Sequence, residues 1–265
     1  MIQSQASIEF QTYPPEKQGR GAFDGGRITE IKPISFPGEW AKPRHLGPLF
    51  YWAWASAKGP GKIGLHPHRG FEIMSYVLQG EIGHRDTLGT VSHVRTGGAQ
   101  VMQTGSGVSH EEETLGSDTQ FFQIWFDPNL QEAIHHLPTY REFRLEDFPV
   151  YQTEGITIKH VIGEGAPVSL VAPVSMQEVT IPPGAEYHRI LGAGQTLAAV
   201  TITGEGTWRA ERTQQEIPVQ SKDFTVIHAG DETVLSIKGK KAGALRLAII
   251  EVPAQVGYPL YGETA

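Results

Sequence analysis

The 265-residue chain contains no cysteine. That absence excludes disulfides, thiolate-bound zinc, iron–sulfur clusters and thiol catalysis together. Any metal here must be held by nitrogen and oxygen. Long hydrophobic runs are also missing. No apolar stretch approaches the roughly 20 residues a membrane helix needs, and the run from Leu245 to Val252 is broken by Arg246. Positive charge is scarce: 22 Lys and Arg stand against 29 Asp and Glu, for a net charge of −7. A surface that tracks phosphates needs clustered positive charge, so direct nucleic-acid binding is disfavoured. The start, Met1 to Ala6, lacks the basic stretch and apolar run of a signal peptide. These absences predict a soluble, cytoplasmic, monomeric protein without membrane or direct nucleic-acid partners.

What the chain has instead is glycine and short β-prone segments. Residues 1–25 read as a polar arm that other parts must order. Arg27 to Ile34 alternates apolar and polar and predicts a first strand, with Pro33 at an edge. Leu49 to Ala55 is short and aromatic. Strands are expected over 71–78, 91–94, 99–103 and 120–126, with glycine-rich turns between them. This spacing of about ten residues indicates an all-β sandwich or barrel. One helix is expected over 127–137, with Asp127 as N-cap and Pro128 at the first helical position. Residues 138–153 read as a linker.

The second half repeats the style of the first. Strands are expected over 156–162, 168–174, 176–181, 197–203, 224–228, 233–237 and 245–251. Tyr76-Val77-Leu78-Gln79-Gly80-Glu81 matches Val200-Thr201-Ile202-Thr203-Gly204-Glu205, each an apolar strand that ends in a Gly-Glu corner. Gly97 to Met102 likewise matches Lys222 to Ile227. An internal duplication follows, with domains at 1–145 and 146–265.

Chemistry concentrates between His66 and Glu112. His66-Pro67-His68 and His110-Glu111-Glu112 are each spaced i, i+2. Residues two apart in a strand share a face. If the two strands face one another, His66, His68, His110 and Glu112 converge on one nitrogen- and oxygen-lined metal site. Such a donor set suits Fe, Mn, Ni, Cu or Zn. Glu111 and Glu113 have the opposite parity and face away. Glu72 shares the parity of His66 and His68, and its position predicts a supporting acceptor or a charge paired with Arg69. His84 and His93 lie beside a hairpin and are expected to face solvent. Trp52, Trp54, Phe71 and Met102 are candidate apolar lining. The second half offers only Tyr187-His188-Arg189 in place of His-Pro-His.

His66-Pro67-His68-Arg69-Gly70-Phe71-Glu72, the Tyr76–Glu81 corner, His84-Arg85-Asp86-Thr87-Leu88-Gly89 and Gly105-Ser106-Gly107-Val108-Ser109-His110-Glu111-Glu112 together resemble the pirin family of the bicupin fold. The resemblance covers roughly 64–126 and is looser beyond. It implies two tandem cupin domains packed face to face, with few short helices and a metal only in the N-terminal domain. It further implies His66, His68, His110 and Glu112 as ligands of one mononuclear ion, most readily Fe(II), with Mn, Ni, Cu, Zn or Co as alternatives. Glu72 lies one residue further from Gly80 than is usual in cupins, which places it outside the ligands. The implied activity is quercetin 2,3-dioxygenase: O2-dependent cleavage of a flavonol with release of carbon monoxide, Glu112 serving as general base. The implied alternative is a metal- and redox-dependent binding protein that acts through a protein partner. A third is a cupin isomerase or oxygenase acting on another small enol or acid.

Overall fold

The computed structural model describes residues 8–36, 39 and 43–261. The first residues of the expected arm and part of the proline-rich 36–48 segment lie outside this range. In chain order the strands are β1 Ile8–Tyr13, β2 Gly19–Phe23, β3 Ile28–Ile34, β4 Leu49–Ala57, β5 Gly61–His68, β6 Glu72–Asp86, β7 Val91–Arg95, β8 Ala99–Gln103, β9 Val108–Phe126, β10 Thr139–Phe143, β11 Val150–Thr153 and β12 Ile156–Ile162. They continue as β13 Ser175–Ile181, β14 Glu186–Leu191, β15 Gln195–Thr203, β16 Glu205–Ala210, β17 Glu216–Gln220, β18 Phe224–Ala229, β19 Thr233–Gly239 and β20 Leu245–Pro253. Every pairing recorded between them is antiparallel, and the fold is all-β. No helix among the described residues is long and apolar enough to cross a membrane.

By proximity, the described residues of 18–148, 167–173 and 257–261 form one unit, and those of 8–17, 149–166 and 174–256 the other. The expected division at 145/146 was a single cut; the observed grouping exchanges short segments across it. In the first unit the strand order is β10-β8-β6-β9-β4-β3-β2, with β5 on β9 and β7 on β6. The two long strands carry the architecture. β9 pairs with β5 over its first half and with β4 over its second, and β6 runs beside it throughout. Both strands therefore bend from one layer into the next. The bend in β6 falls at the register shifts between Val77, Gln79 and Glu81, where Gly80 adopts φ 82°. A Cβ there would lie 2.9 Å from the Thr119 Cα, so only glycine fits.

The other unit contains the sheets β1-β18-β15-β20-β13-β12-β11 and β14-β19-β16-β17. Its core is a continuous apolar cluster that includes Trp208, Leu197, Leu235, Ile237 and Leu247. The internal correspondence seen in the sequence holds in backbone detail. Gly204 repeats the left-handed corner of Gly80, at φ 87°. Val77 exchanges hydrogen bonds with Gly97 and Gly98, as Thr201 does with Lys222 and Asp223.

Residues 8–13, part of the arm that other segments must order, form a strand on β18, where Ile8 and Phe10 find an apolar surface. Several local expectations need correction. Pro33 is not at a sheet edge. It occupies a bulge inside β3, where the missing N–H is tolerated. The helix shrinks to α1, Leu130–Ala133, with Asn129 in the left-handed conformation at its start. Asp127 is buried, and its Oδ2 accepts the Tyr261 N–H at 2.6 Å. The supposed linker contains β10, which pairs with β8, and β11, which pairs with β12. Residues 168–174 form no strand, whereas β14, β16 and β17 were not foreseen.

Replacing Gly80 by alanine should destabilise the protein by about 1–3 kcal/mol, the cost of forcing a Cβ into this backbone region. Urea unfolding of Gly80→Ala beside wild type measures this; an unchanged midpoint would contradict the assignment of Gly80 as the hinge of β6.

Candidate metal centre

β5 and β9 run antiparallel with His66 directly across from His110 and His68 across from Val108. A register shift between Ile63 and His66 separates this stretch from the pairing that follows. Burial along β9 alternates strictly from Val108 to Thr114, with His110 and Glu112 inward and Glu111 and Glu113 on the other face. Glu111 instead meets Lys62 at 2.9 Å. Ligand-capable nitrogens of His66, His68 and His110 all lie within 4.8 Å of one another, the only such His/Asp/Glu group among the described residues.

The imidazoles are prepared to hold a cation. His66 Nδ1 lies 2.7 Å from the Gly64 carbonyl, which fixes the proton on Nδ1 and leaves Nε2 as the free lone pair. His68 Nε2 is buried with no hydrogen-bond partner. An orphaned buried nitrogen is costly, and a metal ion would satisfy it. Burial, helped by the neighbouring histidines, pushes His68 and His110 down to about 3. Both rings are therefore neutral at ordinary pH, the form a metal requires. These residues fit a nitrogen-bound divalent ion.

Glu112 does not belong to the imidazole trio, but it lines the same cavity as His66 and His68. It is buried and firmly held. Oε1 accepts from Ser75 Oγ at 3.0 Å and Gln100 Nε2 at 2.9 Å, and Oε2 accepts from Gln123 Nε2 at 2.6 Å.

His84 reverses its expected place. It is buried, not solvent-facing, because it lies directly across from Glu112 on the inward face. Its Nδ1 is 3.5 Å from His110 Nδ1, and its Nε2 is 3.0 Å from Asp86 Oδ2. Tyr140 stacks on its ring at 4.3 Å. A carboxylate–imidazole–imidazole chain thus orients His110. The available signal was a third i, i+2 pair, His84 and Asp86, on a strand that runs beside β9. His93 is exposed, as expected.

Glu72 and Arg69 do not form the expected pair. Gly70, at φ 85°, turns the chain between β5 and β6 and breaks the parity that linked Glu72 to His66. The Glu72 carboxylate accepts from Gln103 Nε2, Val171 N and Ala172 N, at 2.7 to 2.9 Å. Its oxygens are satisfied without Arg69, which is exposed. Glu72 lines a separate cavity of about 290 Å³ with Phe71, Gln103 and Leu137.

The cavity at the imidazoles has a volume of about 560 Å³. Its aromatic wall includes Phe36, Tyr51 and Trp125, with Phe36 stacked on Tyr51 at 4.6 Å. Trp125 also meets the His68 ring edge-on at 4.7 Å. Trp52 and Trp54 are core residues instead, packed against Phe122. They occupy the opposite parity of β4 to Tyr51. Phe71 and Met102 are likewise absent from this cavity's lining.

Comparison with known proteins agrees with this geometry. The pirin family model matches residues 53–126. A pirin-like protein of Solanum lycopersicum is 29% identical over 212 residues, 78% of this chain and 71% of that protein. Over residues 53–126 this chain is similar to the pirin family. The structure of bacterial pirin YhhW from Escherichia coli in complex with nickel(II) superposes with a TM-score of 0.74 at 20% identity, covering 94% of this chain and 100% of that one. Quercetin 2,3-dioxygenase from Acinetobacter baumannii superposes with a TM-score of 0.77 at 20% identity, covering 97% and 91%. These likenesses show the shared cupin fold.

Removing the partner that orients a metal-bound histidine typically costs about 10- to 100-fold in metal affinity. His84→Ala should lose that much, read by chelator competition. Affinity equal to wild type would show that the Asp86–His84–His110 chain has no orienting role.

Proposed function

We propose that this pirin-like protein is a metal-dependent dioxygenase that cleaves flavonols of the quercetin type with O2. The carrying observation is a three-imidazole cluster two of whose members, His66 and His68, line an aromatic-walled cavity of about 560 Å³. That volume falls within the range of about 300–1,000 Å³ that takes drug-sized molecules. His66, His68 and His110 hold the ion, with Glu112 as the fourth ligand or its immediate neighbour. Fe(II) is the first expectation, and Mn, Ni, Cu, Zn or Co share the donor preference. When bound, the ion supplies Lewis acidity toward an enolic oxygen.

The protein's own groups do the rest. A carboxylate offers about four acceptor positions. Three of those on Glu112 are taken by Ser75, Gln100 and Gln123. The remaining one is free either to bind the ion or to receive the proton of a flavonol 3-hydroxyl, and the three donors stop the carboxylate from swinging away. Phe36, Tyr51 and Trp125 give a planar ring system apolar faces on which to lie and exclude water from it.

Aerobic incubation of the Fe(II)-loaded protein with quercetin should bleach the flavonol absorbance. Glu112→Gln should slow this by about 10²–10⁴, the usual contribution of a positioned base. No bleaching with Fe(II), Mn(II), Co(II), Ni(II), Cu(II) or Zn(II) would overturn the reading and favour the alternative, a metal-dependent binding protein that acts through a protein partner.

A further inference from the structure

The cavity beside the imidazoles has a second polar cluster in its wall. Glu30 and Lys32 lie on β3, two residues apart and on one face, and Tyr51 comes from β4. Both charged residues are only 5% exposed. Gly21, directly across from Glu30 on β2, makes room for them. A Cβ there would stand 2.6 Å from Glu30 Oε2 and 2.8 Å from Lys32 Cε.

Glu30 is poorly satisfied for a buried carboxylate. Tyr51 donates its hydroxyl across both oxygens, at 3.4 Å to Oε1 and 3.2 Å to Oε2. The Lys32 ammonium is 3.8 Å away and makes its short bond, 2.8 Å, to Glu39 instead. Burial dominates, and it pushes the Glu30 carboxyl up to about 7 despite Lys32 and Tyr51. A purely structural carboxylate at this position is expensive, because apolar side chains of similar volume often stabilise as well or better. The unmet acceptor positions face a cavity large enough for a ligand, one whose aromatic wall includes Tyr51 itself.

We propose that Glu30 forms a second anchor for the ligand: it accepts a hydrogen bond from a hydroxyl of a flat polyhydroxylated aromatic, distinct from the oxygen directed at the imidazoles, and the Tyr51 hydroxyl holds the carboxylate in place. The inference rests on the flavonol reading above and adds the selection of flavonols by their further hydroxyls. Glu30 is the specificity-determining residue, and Glu112 and the imidazoles act on the shared 3-hydroxyl.

Anaerobic calorimetric titration of the nickel-loaded protein with quercetin and with 3-hydroxyflavone, which lacks the other hydroxyls, tests the assignment. Above about pH 8, where the Glu30 carboxyl is mostly ionised, wild type should bind quercetin about tenfold more tightly or better, the worth of one hydrogen bond to a charged group. Glu30→Met should bring the two dissociation constants to within about threefold, leaving that of 3-hydroxyflavone, the nickel content and the thermal midpoint near wild type. Glu30→Gln keeps a neutral acceptor of the same shape and should give an intermediate ratio, which secures the test should the Met variant not fold. A preference for quercetin that survives both substitutions overturns the anchor and leaves the dioxygenase reading standing. Failure of wild type to bind either flavonol overturns the flavonol reading and the anchor with it.

Discussion

The antiparallel alignment that sets His66 across from His110 is the constraint on which the site depends. Neither strand can slip by one residue without sending its donor atoms to the outer face. The neighbouring strand is under the same restriction. β6 places Asp86 across from His110 and His84 across from Glu112. Three strands thus deliver imidazoles and carboxylates to one inward face, and the bend at Gly80 allows the same two long strands to close over it. Burial then does the electrostatic work. It keeps His68 and His110 neutral and leaves His68 Nε2 without a partner. An unpartnered buried nitrogen is costly, and a bound cation would satisfy it.

The other unit shows what the same backbone does without that chemistry. The left-handed corner at Gly204 and the hydrogen bonds around Thr201 repeat those of the first unit, yet its interior is filled by Trp208, Leu197, Leu235 and Leu247. His188, the histidine nearest in character to His66, is exposed and 3.9 Å from Glu211. The backbone geometry therefore carries no chemistry by itself; four or five side chains of the right parity do.

Much of this was legible in the sequence, because strand parity is a local rule. The inward faces of His110 and Glu112, the outward faces of Glu111 and Glu113, and the paired Gly80 and Gly204 corners all follow from spacing within one segment. What escaped was set by contacts distant in sequence. His84 lies beside a hairpin in the sequence, but β6 continues to Asp86 alongside β9 and turns it inward. Tyr51 could not be told from Trp52 as lining without knowing which face of β4 meets the cavity. Glu72 lies outside the ligands, as expected, but the turn at Gly70 interrupts the strand, so its parity with His66 does not carry across. The Glu30–Lys32 pair looked like ordinary alternation; only the Gly21 gap beneath it and the cavity beside it mark it out. Asp127 had the right chemistry for a helix cap, but its carboxylate is engaged by the backbone of Tyr261, 134 residues away.

The central claim is that three imidazoles, with the Glu112 carboxylate beside them, hold one ion. X-ray absorption at the metal edge of the iron-loaded protein reads this most directly. The account predicts one metal per chain and scattering from three imidazole rings with a light-atom remainder, falling to two rings in His110→Ala. A first shell with fewer than three imidazoles in wild type, or one unchanged by that substitution, would contradict it.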